Sequence, residues 1–386
     1  MREQARVEAS VTVVQDVAGV DTWDRPGDVH MLQLGDLALE GGSTLPDAVL
    51  AYQTWGVLSP ARDNAVLVEH ALTGDSHVVG PAGAGHPTAG WWEGLVGPGL
   101  AIDTDRFFVV AANVIGGCQG STGPRSIAPD GHPWGSRFPA VTIRDHVGAE
   151  RALADALDIE SWALVVGGSM GGMRALEWAV MYPSRVARVA VLASTAAASA
   201  DQIAWAQPQL LAIRHDPDFQ GGDYYGSGRT PTTGLGIARR IAHTTYRSAD
   251  DLQRRFGRRE QDGNPPTGDC RYAVESYLDH HAAKLCARFD ANSYLVLTEA
   301  MNSHDVGRGR GGARQALARV EAEVLVVAVD SDRLYPLQQS EFLADAAPGG
   351  VRERLPLFGV AAARVRPDAG PGLLRERASG EEHLAA

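Results

Sequence analysis

The stretch Val165-Val166-Gly167-Gly168-Ser169-Met170-Gly171-Gly172 constrains this chain more than any other. A short β-branched run enters it, and a run with apolar residues at helical spacing, Met170 to Met181, leaves it. A strand must therefore turn directly into a helix at Ser169. Glycines on either side of the serine let strand and helix pass closely and leave the hydroxyl at the tip of the turn. Gly167-x-Ser169-x-Gly171 is the nucleophile-elbow pattern of acyl chemistry. The amide after the serine, Met170 N–H, falls at a helix N-terminus, where it can stabilise an oxyanion. The same residues also suit a glycine-rich turn that binds a phosphate or nothing, but the strand–turn–helix setting favours the nucleophile.

The chain on either side agrees with this. Ala65 to His70, Phe107 to Asn113, Trp162 to Val166, Val189 to Ala193 and Val324 to Val329 read as short buried strands. Ile143 to Leu157 and Met170 to Met181 read as helices between them. Apolar strands alternating with helices predict an α/β fold with a mostly parallel central sheet covered on both faces. Residues 1–28 lack periodicity and read as an extension. Residues 201–320 break the alternation, with helical patches at Ile203–Arg214, Gly236–Thr245 and Arg271–Arg288. They read as a helical lid inserted over the carboxyl edge of the sheet. The core is then 29–200 and 321–386. Gly307 to Gly312, with Arg308 and Arg310, reads as a flexible basic loop that is either solvated or touches a phosphate.

Net charge is −12, which argues against nucleic acid and anionic membranes as partners. No apolar run approaches the roughly 20 residues of a spanning helix, and the start has no apolar segment behind a basic cap. Three cysteines, Cys118, Cys270 and Cys286, show no CxxC spacing, so neither a zinc site nor a disulfide framework is expected and a reducing cytoplasm fits.

Acyl chemistry at Ser169 needs a second oxyanion donor and an acid. The loop His70-Ala-Leu-Thr-Gly-Asp75 follows a strand, and Leu72 N–H is its best candidate. The late run Val329-Asp-Ser-Asp-Arg-Leu-Tyr-Pro336 offers two acids. Asp330 ends the strand, whereas Asp332 lies in the loop, where a side chain can reach an imidazole. Cys118 has no elbow and reads as a small loop residue. His280-His281 and His304-Asp305 fit no zinc spacing and read as hydrogen-bonding lid residues.

The runs His70–Asp75, Asn113–Pro124, Gly167–Gly172, Gly234–Tyr246, Tyr272–His281 and Ser331–Pro336 occur in order and closely resemble the homoserine O-acetyltransferase family over about residues 30–345. The resemblance implies an α/β-hydrolase fold with Ser169 as nucleophile and Asp332 as acid. It makes Arg239, in Gly236-Ile-Ala-Arg-Arg240, a substrate-binding arginine, although by sequence alone it is a helix-surface residue. It further implies acetyl transfer from acetyl-CoA, a co-substrate rather than a cofactor, to L-homoserine in methionine biosynthesis. A cytoplasmic homodimer built through the insertion is the expected assembly. A homoserine O-succinyltransferase, a serine O-acyltransferase, an esterase of the same fold and a catalytically inactive relative are the alternatives.

One part of the family pattern is missing. A Gly-His-Asp-type segment is expected near residues 360–364, but the chain reads Phe358-Gly-Val-Ala-Ala-Ala-Arg-Val-Arg-Pro-Asp368 there. After Asp332 the one histidine is His383. Without an imidazole to take its proton, a serine hydroxyl is a poor nucleophile at neutral pH. Three readings stay open: a frameshifted tail, true loss of the base, or substitution by another histidine such as His383. The codons of Ala363-Arg364-Val365, read one base later, permit His, then Glu, Gly, Ala or Val, then Phe.

Overall fold

The computed structural model describes residues 28–83, 86–261 and 270–355. Its main sheet has eight strands: β1 (His30–Ala38), β2 (Thr44–Trp55), β3 (Ala65–Glu69), β6 (Phe108–Ala112), β7 (Leu164–Gly168), β8 (Arg188–Leu192), β9 (Glu323–Val329) and β10 (Val351–Leu355). The two-residue strands β4 (Val96–Gly97) and β5 (Ile102–Asp103) pair beside it. The sheet runs β1-β2-β6-β3-β7-β8-β9-β10. From β6 to β10 all pairs are parallel, while β1–β2 and β2–β6 are antiparallel.

Alternate residues of the central strands enter opposite cores. Leu67, Val110, Val165 and Val191 join one apolar cluster, whereas Val66, Val109, Val166 and Ala190 join another. Burial on both faces explains why these strands read as continuous apolar runs. Helices α1 (Ile143–Ala156), α2 (Met170–Met181) and α9 (Leu337–Ala346) cover the sheet.

Between β8 and β9 the described chain is helical: α3 (Ala200–Arg214), α4 (Thr232–Thr245), α5 (Ala249–Phe256), α6 (Ala273–Cys286), α7 (Ala291–Asn302) and α8 (Ala313–Leu317). A third apolar cluster joins these helices, through Leu210, Ile213, Leu235, Leu285 and Tyr294, to Leu72, Met170 and Met173 at the carboxyl ends of β3 and β7. The helices leave and rejoin the core side by side, since Ala197 bridges Asp305 and Ala198 N–H donates to His304 O at 2.9 Å.

Regular structure among the described residues starts at His30, where β1 and β2 form an antiparallel hairpin broken by a bulge around Gly35. One reading, that of the loop 307–312, needs correction. The run 307–312 is tied down rather than free. Arg308 pairs with Glu40 at 2.7 Å and Arg310 with the buried Glu177 at 2.8 Å, so both guanidiniums hold the lid to the core. The described sheet closes on β10. Residues 1–27, His383 and the 360–364 segment lie outside the described residues.

Candidate active site

β7 delivers the chain into the turn and α2 takes it away, with Ser169 at φ 54°, ψ −119°. A non-glycine residue in that region stores about 1–3 kcal/mol of strain, so its surroundings must hold it. Ser169 N–H donates to Leu192 O at 3.0 Å, and Ser194 Oγ donates to Ser169 O at 2.7 Å. Gly167 and Gly171 are obligatory by contact. A Cβ on Gly171 would collide with the Glu69 carbonyl, and one on Gly167 with the Gly171 backbone at 2.5 Å.

Met170 is the first residue of α2, so its amide has no intrahelical acceptor and points out of the helix N-terminus. Leu72 sits in the loop after β3 and lines, with Ser169, a cavity of ≈ 60 Å³. Met173, Gln202, Tyr246 and Tyr335 are among its other walls, and none of its lining side chains is charged.

Of the two candidate acids, Asp330 is exposed. Asp332 is part-buried, and its Oδ1 accepts from Leu334 N–H and Tyr335 N–H, both at 2.8 Å. Burial raises its pKa, and the two amides oppose that rise. The structure links this acid to the nucleophile through Tyr335, whose hydroxyl lies 3.0 Å from Ser169 Oγ. Burial pushes the phenol pKa up, so it stays protonated at neutral pH. Among the described residues no imidazole bonds to Ser169. His70 uses its ring on Ala71 O and Val114 N–H, His243 meets the Tyr277 hydroxyl, and His304 meets Thr195 O.

Arg239 is not a surface residue. It is buried on α4, donates to Thr73 Oγ1 at 3.2 Å, lies 5.7 Å from the Tyr246 ring centre, and has a buried Nε without a partner among the described residues. Cys118 is inert by environment, since burial lifts its thiol to about 12. His281 stacks on His243 at 3.9 Å, and His280 is exposed. Asp305 Oδ1 accepts from Gly307 N–H at 2.7 Å.

Sequence reasoning missed a buried charge network behind the elbow. Arg174 on α2 is fully buried and pairs with Glu69 and Glu150, each at 2.8 Å. It also donates to His70 O at 3.0 Å. Burial, with Glu150 beside it, holds the Glu69 carboxyl well above its usual range against the pull of Arg174. The signal was present: an arginine and a glutamate inside the otherwise apolar run Met170–Met181 demand buried partners.

A model of the alpha/beta hydrolase fold matches residues 64–358. A homoserine O-acetyltransferase from Thermobifida fusca is 65% identical over 334 residues, spanning 86% of this chain and 88% of that protein. The chain belongs to the homoserine O-acetyltransferase family. The structure of the Bacillus anthracis family member superposes with a TM-score of 0.77 at 28% identity, covering 86% of this chain and 91% of that one. Esterase E22 superposes equally well, at 0.78 and 26% identity, covering 85% of this chain and 93% of that one. The framework is thus shared by transferase and esterase, and the fold-family match stops at Phe358, before the segment where the family's histidine is expected.

Proposed function

We propose that this chain transfers an acetyl group from acetyl-CoA to the hydroxyl of L-homoserine through an acyl-Ser169 intermediate, in methionine biosynthesis. The observation that carries this is the 65% identity to a homoserine O-acetyltransferase across the parts that build the site, with Ser169 held in an elbow. In the first half-reaction Ser169 Oγ attacks the thioester carbonyl. The tetrahedral oxyanion takes hydrogen bonds from Leu72 and Met170 N–H, the carbon–sulfur bond breaks, and coenzyme A leaves with the proton. In the second, the homoserine hydroxyl attacks the acyl-serine, the new ester forms, and Ser169 regains its proton. Arg239 holds the homoserine carboxylate, because a forked cation suits a planar anion. Asp332 is placed to orient an imidazole. Residues 29–200 and 321–386 act as the core, and the helices of 201–320 act as a lid that keeps water from the acyl-enzyme. No cofactor is required.

Part-exposed Ile203 and Leu211 on α3 and Ile237 on α4 support a homodimer built through the lid. The absence of a disulfide among Cys118, Cys270 and Cys286 in the described residues supports a cytoplasmic setting. No helix among the described residues is long and apolar enough to cross a membrane.

A second reading rests on one observation: Ser169 meets a phenol and no imidazole among the described residues. A chain without a base retains the catalysis that the oxyanion hole and binding supply, roughly 10³–10⁴-fold over water. Intact mass after incubation with acetyl-CoA tests both readings, with Ser169→Ala as control. Slow formation of one acetyl adduct that Ser169→Ala abolishes supports acyl transfer. No adduct makes the chain a binding relative, and resequencing codons 345–370 then separates a misread tail from a lost base.

A further inference from the structure

Two buried guanidiniums and a part-buried one converge on the four residues His70 to Thr73 that carry the Leu72 amide. From the core, Arg174 donates to His70 O at 3.0 Å. From the lid side, Arg288, just beyond α6, donates to Thr73 O at 2.8 Å, and Arg239 of α4 donates to Thr73 Oγ1 at 3.2 Å. Both ends of the loop are thus gripped through peptide carbonyls. Between them Gly74 N–H returns to Ala71 O at 2.9 Å, and the His70 ring spans Ala71 O and Val114 N–H at 2.8 Å and 3.3 Å. His70, Leu72 and Thr73 are all buried.

We infer that Arg288 is a positioning residue: from the lid it fixes the loop that carries Leu72 N–H, so the oxyanion hole is complete only when the lid helices are packed on the core. The inference rests on the proposed acyl transfer and on Leu72 as a donor. Its physical basis is the direction of the Arg288 bond. A guanidinium part-buried beside another guanidinium, that of Arg239, is costly, and burial together with Arg239 lowers its pKa while Asp75 opposes this. Fold stability alone is better served by an apolar side chain at such a place. What an arginine supplies there is a charged donor fixed on Thr73 O, one residue from the oxyanion amide. Rotation of the Thr73 peptide would swing the Leu72–Thr73 link, and displacements of about 1 Å cost up to roughly a hundredfold in rate.

The test compares the parent with Arg288→Met, which removes the donor, and Arg288→Lys, which keeps the charge opposite Asp75 should the first variant fail to fold. Amide hydrogen exchange is followed over residues 70–75 and over the elbow, residues 165–172, beside kcat and the two KM values. The expected result is exchange about tenfold faster in 70–75 and unchanged in the elbow, the weight of one lost hydrogen bond. Acetyl-Ser169 formation then slows about tenfold or more, with both KM values within about twofold of the parent. Faster exchange throughout the chain would make Arg288 merely structural, and unchanged exchange with a raised homoserine KM would make it a carboxylate ligand. Either overturns the inference. If the parent itself forms no acetyl-Ser169, the proposed function fails, and the exchange arm still decides whether Arg288 fixes the loop.

Discussion

The Tyr335 hydroxyl sits 3.0 Å from Ser169 Oγ, while the Tyr335 amide is held 2.8 Å from Asp332 Oδ1. Acid and nucleophile, 163 residues apart in sequence (332 − 169), are therefore joined by a phenol whose position is set by the acid's own turn. The ring belongs to the cluster beneath the lid, with Leu72, Met170 and Met173. A buried phenol kept protonated shares a hydrogen bond with Ser169 in which either hydroxyl can donate, and it takes no proton from the serine near pH 7.

Replacing Tyr335 by Phe keeps the ring and deletes only that bond. Stability should fall by about 1 kcal/mol in urea unfolding. The pH dependence of Ser169 acetylation between about pH 6 and 9 should keep the shape of the parent's. An inflection present in the parent and lost in Tyr335→Phe would make the phenol the missing base and sink this assignment.

Asp332 does two jobs that substitution separates. Its Oδ1 caps the amides of Leu334 and Tyr335, and an asparagine oxygen can do the same. Asp332→Asn should therefore unfold within about 1 kcal/mol of the parent, whereas Asp332→Ala, which strands both amides, should cost about 1–3 kcal/mol. The rate carries different information. With no imidazole to orient among the described residues, Asp332→Asn should acetylate Ser169 within about threefold of the parent. A loss on the order of 10⁴ is the signature of an aspartate holding a working histidine. That result would show that His383 or another imidazole docks at the site.

What could be read from the chain, and what could not, follows from the range of the forces involved. The elbow, α2 and the central strands are written locally, in glycine placement, β-branched runs and helical spacing, and Met170–Met181 matches the observed helix end to end. Helix α7 escaped because it is buried nearly all round, at Tyr294, Leu295, Leu297 and Ala300, and so shows no amphipathic stripe. The loop of Arg308 and Arg310 read as free because its partners are remote in sequence, 268 residues away at Glu40 and 133 at Glu177. Arg239 read as a surface residue for the same reason, since Thr73 lies 166 residues upstream. Side chains that act at a distance leave little trace in the pattern of their own helix.

Buried histidines set the acid limit of stability. Burial chiefly lowers the pKa of His146 to about 3 and of His304 to about 4, from an ordinary value of 6.5. A folded-state pKa below the unfolded one means that the unfolded chain binds more protons as pH falls. The stabilisation is thus complete above about pH 6.5 and is lost as pH falls toward 4 and then 3. Glu69, raised by burial, works in the opposite sense, its contribution being complete below 4.5 and lost as pH rises through its folded value. Unfolding free energy measured between about pH 6 and 4.5 should therefore fall with a slope that His146→Leu reduces by about one proton, or ~1.4 kcal/mol per pH unit. An unchanged slope would mean that His146 is charged in the folded protein.

Ser169 separates catalytic need from folding need. At φ 54° and ψ −119° a side chain at this position is strained whatever it is, and the strain is held by Leu192 O, by Ser194 and by Gly167 and Gly171, which cannot themselves carry a Cβ. Glycine adopts this backbone region at little cost, while alanine keeps the Cβ and loses the hydroxyl. Ser169→Gly and Ser169→Ala should both abolish acetyl-adduct formation, yet the glycine variant should be the more stable of the two by about 1 kcal/mol. Glycine also gains entropy in the unfolded chain, which works against it, so a stability gain observed despite that loss would isolate the strain of the turn. If Ser169→Ala proves as stable as Ser169→Gly, the elbow is not strained in solution, and the serine's exposure is set by its neighbours' packing rather than by its own backbone.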